Sequence, residues 1–531
     1  MTRQARTRRT EKSVFPIISD KSENSPHLSA HFETLGCRLN QIESEGAADF
    51  FSQAGFRVEM KSVSANDATD EKICVCVLNT CAVTTKAEQK ARRIIRLLLK
   101  KFPNAAIIVT GCYAQLSPKE IRSIDERVVA LPGLAKSSLC EIPEKIFAAK
   151  NNSSAQNPFP KNFIEEISGK KKFLSENSNA EFLSQKKFSE TDSAKKTPHG
   201  IYEKNPALDP FIFFSKEFVS HSRASLKIQD GCDNSCSYCA IHLARGKSVS
   251  LEAEAVVERV NALEDAGHAE VVLTGVNVGQ YAGTFGERKI GIAELLSLIL
   301  SRTKKIAIRL SSVHPEIIDE KFCAAIKSER VRPHFHLSVQ SGSDLILKKM
   351  NRRYTRDDVL RACEMLRTAK ENPFLACDII AGFPGESEED FSMTLDLLER
   401  CSFANVHAFP FSPRKGTPAF SMKPKIPERT KDLRARILAE FSARQKIRYV
   451  ESFAQISRRA ILESVRSKKI AVPSGKKILR AVTDNFIHTE ILCDENFSAP
   501  KDGSEVFVKI LAAQKERIIA GGEWEARGEI S

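Results

Sequence analysis

The sequence predicts an α/β protein with an N-terminal parallel-sheet domain, a central partial (β/α) barrel and a small C-terminal β-barrel. Short apolar, β-branched runs alternate with helical patterns through the first 145 residues and again from about 222 to 420. Such alternation is typical of parallel sheets. The end of the chain carries short β-rich runs separated by turn signals, which favours a small barrel.

Changes in composition set the predicted domain boundaries. Residues from about 151 to 221 are rich in Asn, Ser, Lys and Phe and show poor periodicity, as expected of an insertion or linker. Its phenylalanines, including FIFF at 211–214, are expected to dock on a neighbouring domain. The predicted segments are a basic tail at 1–31, an N-terminal domain at 32–145, an insertion at 146–221, a central barrel at 222–454 and a C-terminal barrel at 455–526.

Positive charge is concentrated in two segments of a chain whose net charge is +14. Between residues 421 and 480 there are 17 Lys and Arg against five Asp and Glu. The segment KAEQKARRIIRLLLKK at 86–101 contains seven basic residues and one acid, Glu88. Basic runs are commonly solvated helix faces, but two of them beside cysteine sites favour a polyanionic partner, and we expect nucleic acid.

The same composition argues against membrane association. No apolar run approaches the roughly 18 residues that span a bilayer. The N-terminus lacks the apolar core of a signal peptide, so we expect a cytoplasmic location with reduced thiols. The 14 cysteines are therefore predicted to be buried residues or metal ligands rather than disulfides.

Three cysteines of the N-terminal domain share one context. HFETLGC ends at Cys37, ICVCVLNTC at Cys81 and AAIIVTGC at Cys112, each after a short apolar run. Because the carboxyl ends of parallel strands meet at one edge of a sheet, we expect these cysteines, here called the strand-end trio, to converge. The other cysteines of this domain are predicted to be core or incidental residues: Cys74, Cys76 and Cys140.

A second set, here called the loop trio, lies in GCDNSCSYCA at 231–240. Cys232, Cys236 and Cys239 have the spacing C-x3-C-x2-C. Thiolates select iron–sulfur clusters and zinc, whose ordinary sites take four protein ligands. Three ligands on a four-iron cluster leave one iron open to a small molecule. The alternative is a zinc site completed by His242.

Polar residues follow several strands of the predicted central barrel. The strand candidates are ASLKIQDGC, AEVVLTGVN, KIAIRLSSV, HFHLSVQSG, LACDIIAGFPG and NVHAFPFSP. Ligand sites of β/α barrels form at the carboxyl ends of the strands. Asn277, Gln340 and Asp378 are therefore candidate pocket residues, with structural hydrogen bonding as the alternative role for each.

The motifs resemble those of the radical S-adenosylmethionine methylthiotransferases. GCDNSCSYCAIHLARG resembles the cluster loop of radical S-adenosylmethionine enzymes, and the strand-end trio resembles the methylthiotransferase subfamily. The resemblance covers about 32–145 and 222–525. Its further motifs are TLGCRLNQIESE, LNTCAVTTKAEQKARR, TGCYAQL, LTGVNVGQY, HLSVQSGSDLILKKMNRRY, DIIAGFPGES and HAFPFSPRKGTPA.

The resemblance implies two 4Fe-4S clusters and S-adenosylmethionine as cofactors. The loop trio would hold the cluster that cleaves S-adenosylmethionine to a hydrogen-abstracting radical. The strand-end trio would hold the second cluster, where sulfur is delivered, and a further S-adenosylmethionine would supply the methyl group. Tyr238 lies where the family has an aromatic residue beside the adenine of the cofactor. No catalytic residue beyond the cluster ligands is implied.

The resemblance is greatest to the branch that acts on threonylcarbamoyladenosine in tRNA. Arg38 and Leu39 stand where the isopentenyladenosine branch has glutamine and methionine. Arg38 is a candidate contact for the carboxylate of threonylcarbamoyladenosine, with a solvent-facing arginine as the alternative. Two other substrates stay open, isopentenyladenosine in tRNA and a ribosomal-protein aspartate. An alternative of another class is a non-catalytic metal-binding RNA module.

The C-terminal segment resembles the TRAM domain, which binds RNA in this family. The expected partners are therefore the anticodon loop of tRNA, an electron donor and a sulfur source, and the protein is expected to be a monomer. The basic residues expected to contact phosphates are Arg458, Arg459, Lys468, Lys469, Lys476 and Lys477.

Overall fold

The computed structural model describes residues 28–151, 209–216, 218, 222–463, 474–522 and 524–531. The predicted basic tail as far as residue 27, most of the predicted insertion, and Lys468 and Lys469 lie outside the described residues. The first strand begins at Ser29, so folded structure starts inside the segment predicted as tail.

Parallel strands flanked by helices form the N-terminal domain. The strands are β1 Ser29–Thr34, β2 Arg57–Met60, β3 Ile73–Thr80, β4 Ala106–Gly111 and β5 Val128–Ala130. The helices are α1 Arg38–Gln53, α2 Thr85–Lys101, α3 Cys112–Leu116, α4 Pro118–Arg122 and α5 Ile142–Asn151. The strands pair in the order β2-β1-β3-β4-β5, all parallel. Every residue of β3 and β4 is buried, as expected for a parallel sheet covered on both faces.

The central unit is an open barrel built from two parallel sheets. Its strands are β6 Ala224–Lys227, β7 Gln229–Asp230, β8 Val249–Ser250, β9 Glu270–Thr274, β10 Gly283–Phe285, β11 Arg288–Ile290, β12 Ala307–Leu310, β13 His334–Gln340, β14 Phe374–Ala381 and β15 Asn405–Pro410. One sheet has the order β6-β9-β12 and the other β13-β14-β15. A parallel bridge between Val313 and Leu337 joins them, so the six predicted strands form one curved wall.

Helices cover the outside of this wall. They are α7 Ala253–Asp265, α8 Ile292–Arg302, α9 Glu320–Ile326, α10 Asp344–Lys349, α11 Arg356–Ala369, α12 Glu388–Cys401 and α13 Glu428–Glu451, whereas α6 Ile241–Arg245 packs on the N-terminal domain. Local sequence sets their starts, as at α12, where Ser387 and Asp390 form a capping box that satisfies otherwise unpaired backbone N–H groups. Leu295, Leu347 and Leu397 belong to the continuous core between helices and strands.

The C-terminal unit is a closed barrel. Its strands are β16 Ser457–Glu463, β17 Lys476–Thr483, β18 His488–Asp494, β19 Glu505–Ala513 and β20 Ala526–Ile530, and its helix is α14 Lys515–Ile519. They close in the order β16-β17-β18-β20-β19. The barrel extends past the predicted end at 526, since its last strand, β20, runs from Ala526 to Ile530. This strand has the sequence ARGEI, in which only Ala526 and Gly528 are buried. These small residues give no apolar alternation for a sequence pattern to detect.

Two phenylalanines of the predicted insertion connect the N-terminal and central units. Phe211 is buried in the core of the open barrel, and Phe213 is buried in the core of the N-terminal domain. Gly46 of α1 allows this contact, because an added Cβ would lie 2.6 Å from the Cβ of Phe213. The expected docking of these aromatic residues is confirmed.

The C-terminal barrel closes the amino-terminal end of the open barrel. Glu270 begins β9 and is paired with Arg309 at 2.7 Å and with Arg332 at 2.9 Å. Arg309 also donates to the carbonyl of Thr483 in the C-terminal barrel at 3.3 Å. The guanidinium carbon of Arg309 lies 5.2 Å from the ring centroid of Phe486. Charged residues inside the open barrel therefore join two domains.

None of the helices that the structure describes is long and apolar enough to cross a membrane.

Candidate active site

The strand-end trio lies at the carboxyl ends of three neighbouring strands. Cys37 precedes α1, Cys81 follows β3 and Cys112 begins α3. At Gly36 the backbone φ is +123°, and an added Cβ would lie 2.6 Å from the Cβ of Cys81. Glycine therefore lets the Cys37 loop approach Cys81 closely. The Sγ atom of Cys81 would lie 3.4 Å from the same added Cβ. Burial, and then the nearby Cys112 and Cys37, raise the pKa of Cys81, so the sheet brings the three thiols together.

The loop trio lies between β7 and α6. The backbone N–H of Cys239 donates to the carbonyl of Cys236 at 3.1 Å, which folds the loop back on itself. Ser237 anchors the loop, because its hydroxyl donates to the carbonyl of Lys349 at 2.8 Å. Cys236 is buried, and Cys232 and Cys239 are half-buried. The loop is thus held against the carboxyl end of α10.

An arginine stands beside each trio. Burial raises the pKa of Cys81 and of Cys239 to about 11. The charge of Arg245 acts against burial and lowers the pKa of Cys81, and the charge of Arg352 does the same for Cys239. A nearby cation stabilises the thiolate, which is the form that binds a metal. Sequence reasoning missed both arginines, although Arg245 lies in the motif GCDNSCSYCAIHLARG and Arg352 in the motif HLSVQSGSDLILKKMNRRY.

A cavity of about 260 Å³ lies between the two trios. Cys112 of the strand-end trio and Cys239 of the loop trio both line it. Its mouth, here defined by Val83 and Phe409, is apolar, and these side chains are 55% and 46% exposed. A group held in this cavity would contact both cysteine sites at once.

Three of the four residues predicted to contact a cofactor line this cavity: Tyr238, Gln340 and Asp378. The lining does not include Asn277, which precedes the turn Val278–Gln280. Its side-chain oxygen accepts from the N–H of Gly279 at 3.1 Å, which is the structural role left open for it. An asparagine that caps a turn and an asparagine that lines a pocket both follow a strand, so the sequence pattern does not distinguish these two roles.

Tyr238 is held in place by Arg352. The guanidinium donates to the Tyr238 hydroxyl, and its carbon lies 5.7 Å from the Tyr238 ring centroid. The ring of Phe383 meets that of Tyr238 edge to face at 6.4 Å. Arg352 therefore holds the ring of Tyr238 in place and also favours the thiolate form of Cys239.

Arg38 does not reach the cavity. Its guanidinium donates to the hydroxyl of Ser225 on β6 at 2.9 Å, and burial lowers its pKa to about 10. The role of substrate contact is not supported, because α1 carries Arg38 towards the open barrel instead. Arg414 does line the cavity, and its guanidinium pairs with Glu88 of α2.

Two histidines lie beside Asp378 inside the barrel. The Nε2 atom of His336 is 2.9 Å from Oδ1 of Asp378. The ring of His407 stacks on that of His336 at 5.0 Å. Burial, and then the neighbouring His336, lower the pKa of His407 to about 4. Sequence reasoning missed this pair. The alternation of apolar and polar residues in HFH and NVH could have revealed it, because the buried Phe335 and Val406 place their neighbours His336 and His407 on the opposite face of the sheet.

Buried ion pairs join the two cysteine-bearing domains. Glu43 of α1 accepts from Arg245 at 3.0 Å and from Lys227 at 2.7 Å, and it also pairs with Lys136. Burial alone would raise the pKa of Glu43, but Arg245, Lys136 and Lys227 outweigh it and hold the pKa well below its usual range. Arg245 also pairs with Asp230 at 2.9 Å. The loop trio is therefore fixed to the domain that carries the strand-end trio.

The donor chemistry of each trio fits an iron–sulfur cluster, because thiolates are the ligands that such clusters take. Each trio offers three thiols, in loops at strand ends, beside one arginine. In the part of the chain that the structure describes, no group of three or more His, Cys, Asp or Glu side chains is arranged to hold one metal ion. A four-iron cluster instead spreads its ligands over separate irons.

Known protein families match both cysteine-bearing units. The radical SAM superfamily model matches residues 226–398, and the model described as Uncharacterized protein family UPF0004 matches residues 29–133. A Treponema pallidum protein named Threonylcarbamoyladenosine tRNA methylthiotransferase MtaB is 40% identical over 500 residues, covering 91% of this chain and 98% of that protein. The chain belongs to the MtaB methylthiotransferase family.

Other relatives extend this similarity. A protein of the same name from Thermotoga maritima is 33% identical, over 82% of this chain and 86% of its own length. A tRNA-2-methylthio-N(6)-dimethylallyladenosine synthase of Anaplasma phagocytophilum is 30% identical, over 80% of this chain and 84% of its own length. Family membership confirms the predicted fold class, the enzyme class and the use of S-adenosylmethionine with iron–sulfur chemistry.

Proposed function

We propose that this protein adds a methylthio group to the adenine of threonylcarbamoyladenosine next to the anticodon of tRNA. The observation that carries the proposal is one cavity lined by Cys112 from one trio and by Cys239 from the other. Radical formation and sulfur delivery would then act on a single bound adenine. The choice of substrate is supported by the names of the MtaB relatives, one of which is matched over nearly its whole length.

In this proposal each trio holds a 4Fe-4S cluster, with S-adenosylmethionine at the loop trio. When bound, these groups supply the radical and the sulfur atom. Arg352 and Arg245 favour the thiolate form of the ligands. Tyr238, Gln340 and Asp378 contact the cofactor from the cavity wall.

Asn277 supports the same site without touching the cofactor. It caps the turn at Val278–Gln280, and its backbone N–H donates to the side chain of Gln229 at 2.9 Å. Gln229 in turn donates to the carbonyl of Gly231 at 2.8 Å, directly before Cys232. Asn277 therefore positions the start of the loop trio.

The apolar mouth of the cavity suits an adenine base that leaves the RNA stack. Enzymes that modify a base extrude it into a pocket and often stack it on an aromatic ring. Phe409 has an exposed ring at the end of β15, within the cavity lining. We assign it the stacking contact with the base.

Substitution Phe409→Ala should weaken binding of tRNA that carries the target adenosine. Loss of one stacking contact costs about 1–3 kcal/mol, so we expect the KM to rise about 5- to 150-fold. The matched control is Phe420→Ala, because Phe420 is 44% exposed but does not line the cavity. Equal KM changes in the two variants would contradict the assignment of Phe409 as the stacking residue.

RNA binding is further supported by the C-terminal barrel, which we propose to be a TRAM domain. Phe507 is 51% exposed, and the guanidinium carbon of Arg459 lies 6.0 Å from its ring centroid. An aromatic ring beside a cation is the arrangement that single-stranded RNA favours. We propose that the protein works as a cytoplasmic monomer and takes electrons and sulfur from separate partners.

The proposal is tested by mass spectrometry of tRNA nucleosides from cells with and without the gene. Methylthio-threonylcarbamoyladenosine should disappear in the deletion strain, and unmodified threonylcarbamoyladenosine should accumulate. The wild-type gene should restore the product, and the Cys81→Ala gene should not. Loss of methylthio-isopentenyladenosine instead would show that isopentenyladenosine is the substrate. An unchanged nucleoside profile would contradict the proposal.

A further inference from the structure

Helix α2 presents a row of cations to solvent. Ala91, Ile94, Ile95 and Leu98 form its buried face. The exposed basic residues occupy the opposite side, within an arc of about 120° at 100° per residue. They are Lys86, Lys90, Arg93, Arg96 and Lys100, and we refer to them as the α2 stripe.

The α2 stripe is not neutralised by the residues that surround it. The helix contains one acid, Glu88, and this carboxylate points to the central unit, where it pairs with Arg414. Arg92, at the edge of the stripe, is already engaged by Glu120 at 2.7 Å. No cation of the stripe forms an ion pair within the described ranges. Its charge is therefore available to a partner.

The stripe begins at the cavity. Val83 and Thr84, directly before α2, line the cavity, and the N–H of Thr85 donates to the hydroxyl of Ser412 at 3.4 Å. Ser412 lines the cavity as well. From this end the 17 residues of α2 extend for about 25 Å at 1.5 Å per residue. A chain whose base enters the cavity therefore has its adjoining backbone next to the stripe.

We infer that the α2 stripe binds the phosphate backbone of the RNA stem that adjoins the modified adenosine. This inference rests on the proposed function, since it names the surface on which the substrate lies. Double-stranded RNA is recognised largely through phosphates and shape, and cations one helical turn apart on a rigid helix match such a target. The C-terminal barrel then holds another part of the same RNA.

The test compares two sets of five substitutions to glutamine, a residue that preserves helix propensity. The first set replaces the whole α2 stripe. The control set removes five exposed cations from the outside of the central unit, most of them towards the amino ends of its strands: Lys289, Arg302, Lys304, Lys305 and Lys321. Binding of an anticodon stem-loop hairpin and of its loop sequence as a single strand is measured over a series of salt concentrations.

Each phosphate contact contributes nearly one unit to the slope of log K against log salt. We therefore expect the stripe variant to lose about three units of slope and, with an unchanged affinity at 1 M salt, to bind the hairpin about 300-fold more weakly at 0.15 M salt. The single strand should be affected less than about threefold, and the control set should change neither. A variant with Arg93→Lys and Arg96→Lys keeps the charge and should keep the affinity.

Each contrary result has a separate meaning. Unchanged hairpin affinity and slope in the stripe variant, with a wild-type melting temperature, would overturn the inference. If the control set weakened hairpin binding equally, the effect would be one of net charge, and the inference would be overturned. If the stripe variant bound the single strand equally more weakly, the stripe would contact the loop and not the stem, which would also overturn the inference. A wild-type protein that binds the hairpin but never methylthiolates tRNA would contradict the proposed function and leave the stripe assignment standing.

Discussion

Substitution Cys236→Ala should abolish reductive cleavage of S-adenosylmethionine, whereas Cys81→Ala should leave that cleavage in place and prevent sulfur insertion. The two residues belong to different trios on either side of the cavity. A cluster site needs its thiolate ligands to bind and keep iron. Anaerobically reconstituted protein should contain about eight irons per chain, and each variant about four. Iron analysis and chromatography of 5′-deoxyadenosine measure both effects.

The matched control for these variants is Cys140→Ala. Cys140 is a buried cysteine of the N-terminal domain that belongs to neither trio. Its replacement should leave the iron content and both activities at the wild-type level. Equal loss of cleavage in Cys236→Ala and Cys81→Ala would contradict two separate sites. Zinc in place of iron in the reconstituted wild-type protein would contradict both assignments.

Substitution Glu270→Gln should destabilise the protein strongly. The Glu270 carboxylate is buried against Arg309 and Arg332, with Arg223 3.9 Å away. Removing it leaves buried guanidinium groups without their shared anion. Loss of one partner of a buried ion pair costs about 3–5 kcal/mol in the free energy of unfolding. Thermal melting measures this loss, and limited proteolysis shows whether the C-terminal barrel detaches from the open barrel.

The pH dependence of the same effect has a defined sign. Burial alone would raise the pKa of Glu270, but Arg309, Arg332 and Arg223 lower it to about 2. A depressed carboxylate pKa stabilises the fold above the ordinary value of 4.5 and loses that effect as the pH falls towards 2. The difference in stability between wild type and Glu270→Gln should therefore shrink over this range.

The control for Glu270→Gln is Glu294→Gln. Glu294 pairs with Arg288 at 2.7 Å, but both side chains are largely exposed, at 48% and 65%. An exposed pair contributes about 0–1 kcal/mol, so the melting temperature should change little. Equal melting temperatures for the two variants would contradict the view that the Glu270 cluster joins the domains.

The trios were visible in the sequence because local patterns determine them. Cys37, Cys81 and Cys112 each follow an apolar run, and parallel strands bring such ends to one edge. The loop trio has a fixed spacing in a single loop. Both features depend on neighbours in sequence, so no knowledge of packing between domains was needed.

The surroundings of the trios depend on contacts between distant segments and were not visible. Arg245 reaches the strand-end trio only because α6 packs on the N-terminal domain through Glu43. Asn277 and Asp378 look alike at strand ends, yet one caps a turn and the other lines the cavity. Arg38 could only be named as a candidate substrate contact, with a solvent-facing arginine as the alternative, because the direction of a side chain at a helix start cannot be read from its position in a motif.

The central claim is that two cysteine sites act on one threonylcarbamoyladenosine bound between them. The most direct measurement incubates reconstituted protein, S-adenosylmethionine, sulfide and a reductant with two tRNAs, one carrying threonylcarbamoyladenosine and the other isopentenyladenosine. Mass spectrometry of the digested tRNA then identifies the product. The account predicts methylthio-threonylcarbamoyladenosine from the first tRNA and no product from the second. Product from the isopentenyladenosine tRNA alone, or none from either tRNA by protein that cleaves S-adenosylmethionine, would contradict it.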